Sequence, residues 1–191
     1  CIVLDHGKVV FDGDTEEAIA IYMQNEVLEM PLVVECNFAR KDKDLDFKIH
    51  IDRLKFLGKE KMPMYFGGEN MRLEVEYSSV SNATGIAFRV MIQSLHGIRI
   101  TMGTTEACVN AVKGKNTLEL EIPLEWLAPG KYNCFFTAYS TNCFGTEQIH
   151  DRVQKVCYFE KSTEINQINN LTWNHSIWGY MMMPTIIVKE T

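Results

Sequence analysis

Leu118-Glu119-Leu120-Glu121-Ile122-Pro123-Leu124-Glu125-Trp126-Leu127-Ala128-Pro129-Gly130-Lys131-Tyr132-Asn133-Cys134-Phe135-Phe136-Thr137-Ala138-Tyr139 is the stretch that decides the fold class. Leu118, Leu120 and Ile122 alternate with Thr117, Glu119 and Glu121, the period of a strand with one buried and one more exposed face. Pro129-Gly130 marks a turn. Beyond it the period is again two. Tyr132, Cys134, Phe136 and Ala138 share one face, and Phe135, Thr137 and Tyr139 share the other. Trp126 lies in the apolar Leu124–Leu127 run beside the turn and is read as core.

The same period recurs upstream. Phe47, Ile49 and Ile51 alternate with Lys48, His50 and Asp52. Leu73, Val75 and Tyr77 alternate with Arg72, Glu74 and Glu76, and Ile86, Phe88, Val90 and Ile92 with Ala87, Arg89, Met91 and Gln93. Turn signals separate these runs at Gly67-Gly68, Ser81-Asn82, His96-Gly97 and Lys113-Gly114-Lys115. Short antiparallel strands with such turns predict an all-β sandwich or barrel from about residue 47 to 191. No amphipathic helical pattern interrupts them, so parallel βαβ units are not expected.

The chain has 191 residues, 46% hydrophobic and 23% charged, an ordinary globular balance for one large domain or one domain plus a fragment. No window approaches the roughly 18–20 apolar residues of a membrane-spanning helix. Asp5, His6 and Lys8 break the first apolar stretch, so no signal peptide is read there. The net charge of −6 lacks the basic footprint of a nucleic-acid binder.

Six cysteines are spaced without a C-x-x-C, and Cys134 and Cys157 sit in apolar runs where cysteine acts as a small hydrophobe. Reduced thiols in a cytosolic protein are expected, with no structural zinc. Asp42, Asp44 and Asp46 alternate like a calcium loop, but Phe47 stands where its glycine belongs and Arg53 where its glutamate belongs. They are read as a solvated charged linker. No metal or cofactor is expected.

The chain opens on Cys1 rather than methionine and reads as a piece of a longer protein. Ile2-Val3-Leu4, a turn at Asp5–Lys8, and Val9-Val10-Phe11 predict a β-hairpin. Asp14 with Glu17 makes a capping-box pattern, and Ile19, Tyr22, Met23, Val27 and Met30 follow at helical spacing up to Pro31. Residues 32–46 are read as a linker, with at most a short strand at Val33–Cys36.

Cys1–Ala18 resembles the closing stretch of an ABC-transporter ATPase domain. No G-x-x-x-x-G-K-[ST] phosphate loop is present, so residues 1–31 are expected to neither bind nor hydrolyse ATP. Phe66-Gly67-Gly68-Glu69 before Leu73–Tyr77, then Gly85–Phe88, Leu95-His96-Gly97, Ile122–Tyr132, and His150-Asp151-Arg152 before a strand at Val156–Phe159, follow in an order that resembles the C-terminal domain of Wzt-type ATPases of polysaccharide exporters. The resemblance implies an immunoglobulin-like β-sandwich that binds the exported glycan and pairs into a homodimer by exchanging its last strand. It also implies a cytoplasmic place at the inner face of the bacterial plasma membrane, reached through membrane-embedded transporter subunits.

Sugar recognition needs aromatic faces against C–H surfaces and polar groups against hydroxyls. Phe135, Thr137 and Tyr139, followed by Asn142, are candidates on the outer face of their strand, with Arg89 on another. The plainer account, that Phe135 and Tyr139 pack against a neighbouring strand or the linker, carries more weight. Trp173 and Trp178 lie in an aromatic, amide-rich segment that lines a groove, fills the core or forms a subunit interface. Trp178, Tyr180, Met182, Ile186 and Val188 favour the interface, since an apolar terminal strand needs a partner. Glu74, Glu76 and Arg89 otherwise read as a solvated face.

Catalysis is the weakest reading. Glu69, Glu106, Glu147 and Asp151 are scattered, and nothing orients Cys143 against His150. Three N-x-[ST] triplets, at Asn82, Asn170 and Asn174, are no more than chance allows. Three accounts therefore stand: a non-catalytic glycan reader, a purely structural dimeriser of an ATPase, and a carbohydrate-active enzyme.

Overall fold

The computed structural model describes residues 1–5, 7–15, 18, 30–38, 40, 42, 45–105, 108–162 and 173–183. β1 (Ile2–Asp5) and β2 (Lys8–Asp12) form the antiparallel hairpin read from the sequence. Gly7 takes a φ of 77° at its turn, a region glycine enters without a Cβ clash. The Asp14 carbonyl then accepts the Ala18 N–H at 2.9 Å, one turn of the expected helix. The apolar positions Ile19, Tyr22, Met23 and Val27 lie outside the described residues.

Among the described residues two sheets follow. One has the order β10 (Gly114–Ile122), β6 (Met71–Ser79), β4 (Ile49–Phe56), β3 (Val33–Glu35). The other has the order β5 (Met64–Phe66), β12 (Glu147–Ser162), β11 (Gly130–Thr141), β7 (Ala83–Ser94), β8 (Arg99–Thr104), with β9 (Val109–Ala111) also on β7. β5 pairs with β12 in parallel and the other pairs are antiparallel. With β4, β6, β7, β10, β11 and β12 as strands A, B, C, E, F and G, the sheets read E-B-A and G-F-C, an immunoglobulin-like sandwich.

The alternating residues meet between the sheets. Ile49, Ile51, Leu73, Val75 and Tyr77 face Ile86, Phe88, Tyr132, Cys134, Phe136 and Phe159 in one core. Tyr77 meets Phe88 edge-on at 5.2 Å, and Tyr65 meets Phe159 at 6.0 Å. Trp126 is half-buried against this core. Cys36, Cys134 and Cys157 are buried in it as free thiols, and burial pushes the Cys36 pKa up to about 12.

Three details depart from the alternation. Phe47 is not an inward strand residue; it precedes β4 with φ 50° and donates its N–H to His150 O at 3.0 Å. Asp52 is an extra residue in β4, which turns Leu54 and Phe56 inward instead of Arg53 and Lys55. His150-Asp151-Arg152 do not precede the last strand but lie inside β12, whose register against β11 slips three times. The described residues of segment 32–46 are no solvated tether either. It contributes β3 and buried Cys36, and Arg40, Asp42 and Asp46 are bonded to β12.

Candidate functional site

The outer face of the β12–β11–β7 sheet gathers most of the expected residues. Its rows follow from register: Ala87, Tyr139 and Ile149; then Arg89, Thr137 and Arg152; then Met91 and Phe135; then Gln93 and Asn133. At about 3.3 Å per residue the strip runs roughly 20 Å along β11. It is less open than the sequence suggests. The Arg89 guanidinium lies over the Tyr139 ring, 4.5 Å from its centroid, and donates to Glu147. Tyr139 is therefore 8% exposed and Thr137 6%. Phe135 is half-buried.

Two amides at the far end of the strip were passed over in the sequence. Asn133 Oδ1 and Gln93 Oε1 are buried without a hydrogen-bond partner among the described residues. Their strand parity, the same as that of Phe135 and Met91, is the signal that places them on this face. Arg152 was also missed as a face residue because the bulges hide its parity. Asn142 serves the β11–β12 turn: its Oδ1 accepts the N–H groups of Phe144 and Thr146, each at 2.9 Å. That turn holds Phe144 out at 89% exposure.

Trp173 and Trp178 do not join this strip. They meet edge-on at 5.6 Å beside a short helix, His175–Trp178, at the opposite end of β11. There Tyr132 donates to Ala128 O at 2.7 Å, His175 stacks on Tyr180 at 4.5 Å, and Trp173 donates to Gly179 O at 2.7 Å. Tyr132 and Tyr139 are roughly 23 Å apart along the strand at about 3.3 Å per residue, so the tryptophans lie far from Tyr139 and Arg89, although the Asn133 end of the strip adjoins Tyr132. Burial pulls the His175 pKa below its ordinary value, with the nearby His96 adding to this and a hydrogen bond to Pro129 opposing it.

Residues 180–182 pass antiparallel to Trp126–Ala128. Ala128 donates to Tyr180 O at 3.0 Å and Met182 to Trp126 O at 2.8 Å. Tyr180 packs on the core and Met182 is half-buried, whereas Ile177, Trp178, Met181 and Met183 stand exposed. Ile186 and Val188 lie outside the described residues. Trp126 also lines an apolar cleft of about 190 Å³ with Met102, Thr101, Leu120 and Ile122. The outer face of the other sheet holds a polar groove of about 540 Å³ lined by Arg53 and Glu76 among others, and Glu74 and Glu76 are paired with Arg53 rather than left to solvent.

Among the described residues no expected catalytic set assembles. Cys143 is on the exposed β11–β12 turn, while His150 is buried. His150 bonds Asp46 Oδ1 at 2.8 Å and Ser140 Oγ at 3.0 Å, the order of a serine-hydrolase relay. But Ser140 lies inside β11, paired with Ile86 on one side and Gln148 on the other. Such a strand lacks the free, convergent N–H groups that stabilise an oxyanion. Glu69, Glu147 and Asp151 are bonded to Lys59, Arg89 and Arg40, and Glu106 lies outside the described residues. Among the described residues no helix is long and apolar enough to cross a membrane.

Comparison with solved structures finds a similar arrangement in the crystal structure of the C-terminal domain of wzt, at TM-score 0.58 over 75% of this chain and 84% of that one. The fold is that of the wzt C-terminal domain. At 12% identity the likeness to wzt is one of fold, and it bears out the sandwich implied by the resemblance. No protein-family model matches the chain, and no curated protein does.

Proposed function

We propose that the chain is the carbohydrate-reading part of the ATP-binding subunit of a polysaccharide ABC exporter. Residues 1–31 are the tail of the ATPase domain, 32–46 the connection and 47–191 the reading sandwich. The observation that carries this is the strip of Arg89, Thr137, Tyr139 and Phe135 on a wzt-like sandwich. It combines aromatic carbon, a hydroxyl and guanidinium donors, the chemistry a chain of sugar hydroxyls and C–H faces requires. The module binds without catalysis or cofactor, at the cytoplasmic face of the bacterial plasma membrane, and its ATPase domain engages the membrane-embedded subunits. Each hydroxyl contact replaces one to water, so affinity is modest. Calorimetric titration with the source organism's surface polysaccharide, intact and end-trimmed, tests this. Saturable binding that Phe135→Ala with Tyr139→Ala weakens at least tenfold is expected. No binding by the folded chain overturns the reading.

A structural dimeriser is the second reading, favoured by exposed Ile177, Trp178, Met181 and Met183. In it, and alongside the first, the C-terminal residues, Ile186 and Val188 among them, exchange between two copies. The course of residues 180–182 beside Trp126, at the apolar cleft, supports this.

A further inference from the structure

Three consecutive residues of β12 each hold one residue of the segment that precedes β4. His150 Nδ1 is 2.8 Å from Asp46 Oδ1. Arg40 reaches Asp151 with two prongs, Nε to Oδ1 and Nη2 to Oδ2, both at 2.7 Å. Arg152 Nη1 donates to Asp42 Oδ2 at 3.0 Å. Neighbours on a regular strand point to opposite faces and would not all reach one segment. Here Ala138 pairs with Asp151 and Tyr139 with Ile149, which makes His150 the extra residue of a bulge. β5 pairs only with Glu160–Ser162, and the backbone N–H of Phe47 donates to the His150 carbonyl further along the same strand.

The three contacts are unequal. The Arg40 and Asp151 side chains are 4% and 0% exposed, and Arg40 also donates to the carbonyls of Cys36 and Ile51. The Arg152 and Asp42 side chains are 32% and 33% exposed. A half-exposed pair is weak, whereas breaking a buried one strands a charge. Arg152 is also shared, since it stands opposite Thr137 in the Arg89–Thr137–Arg152 row of the outer face.

We propose that His150, Asp151 and Arg152 clamp the segment joining the N-terminal hairpin to the sandwich, and that an oxygen-rich glycan on the Arg89–Thr137–Arg152 row opens the clamp's outer jaw by taking Arg152 from Asp42. The coupling half rests on the glycan reading above; the clamp itself does not. Arg40–Asp151 keeps the segment attached while its outer half loosens, so occupancy of the face reaches the segment that leads to the hairpin. Coupling is reciprocal: a competitor whose removal frees Arg152 must also, when displaced, report the ligand.

The test uses the full 191-residue chain and the source organism's surface polysaccharide as probe. Calorimetry gives affinity, and amide hydrogen exchange follows residues 40–47. Asp42→Asn is expected to bind about two- to fivefold tighter, the scale of one exposed ion pair. The polysaccharide is expected to speed exchange over 40–47 in the native chain, and Asp42→Asn to show that faster exchange already without it. Binding with unchanged affinity in Asp42→Asn and unchanged exchange overturns the coupling and leaves the glycan reading standing. No binding to either chain overturns that reading and the coupling with it. Without any ligand, Asp151→Asn is expected to speed exchange over 40–47, and exchange at the native rate overturns the clamp. Arg40→Lys, which keeps the charge and loses the two-pronged fit, serves in its place where Asp151→Asn does not fold.

Discussion

Asp151 accepts four hydrogen bonds on two oxygens: from Arg40 Nε and the Arg152 N–H on one, and from Arg40 Nη2 and the Ile51 N–H on the other. A carboxylate so satisfied tolerates full burial, and its loss strands the Arg40 charge. Asp151→Ala is expected to cost about 3–5 kcal/mol in urea unfolding, whereas Asp42→Ala, at the exposed pair, should cost under about 1 kcal/mol. His175 makes a pH prediction. Burial lowers its pKa, so the folded chain binds this proton less readily than the unfolded one. Its contribution to stability is complete above the ordinary value of 6.5 and is lost as pH falls through the lowered value. Melting temperature should therefore decline with acid from about pH 6.5, accompanied by a change in tryptophan emission from the Trp173–Trp178 pair, and His175→Gln should flatten that limb.

At the scale of the element, β12 carries the departures from regularity that build the site. Its register against β11 shifts between Tyr132 and Cys134, between Cys134 and Phe136, and between Ala138 and Tyr139, each time with an extra residue on β12. Lys155 and Cys157 take φ of 54° and 51° there, a region costly for residues with a Cβ. Lys155 is exposed, so Lys155→Gly should relieve strain and raise stability by up to about 1 kcal/mol. Cys157 has the same backbone but a side chain buried in the core, so Cys157→Gly should lower stability because lost packing outweighs the relief. Thermal melts of the two variants, moving in opposite directions, check the account.

At the scale of the whole molecule, the Arg89–Thr137–Arg152 row and the exposed apolar residues Ile177, Trp178, Met181 and Met183 lie at separate places, and the proposed glycan and the proposed second copy take one each. Truncation after Met183 is expected to turn a dimer into a monomer in sedimentation equilibrium while leaving the sandwich's β-sheet circular dichroism intact. A dimer that survives truncation would assign its contact to another surface. Because the Arg89–Thr137–Arg152 row lies toward the other end of β11 from residues 180–182, truncation should leave polysaccharide affinity per chain within about twofold, the scale of additivity for distant sites.

The sequence alone determined the hairpin, the all-β class, with the sandwich implied by the family resemblance, and the inner faces of β6, β7 and β11. Leu73, Val75 and Tyr77, and likewise Tyr132, Cys134 and Phe136, alternate without interruption, and period two is a local property of the backbone. It also placed Phe135, Thr137 and Tyr139 together on one face. Tertiary structure decided what a local period does not carry. Bulges at Asp52 and His150 shift parity, and only strand pairing reveals them. Arg89 roofs Tyr139 from another strand. Arg40 finds Asp151 across 111 residues of chain, and Asp42 finds Arg152 across 110, so two charges that read as solvated are paired with β12. Trp173 and Trp178, adjacent in composition to a sugar platform, sit near the Tyr132 end of β11, where residues 180–182 pass beside Trp126–Ala128. The division is physical: alternation and turns are set by neighbouring residues, whereas charge pairing and the gathering of a site depend on distant segments that meet only when the two sheets close on their core.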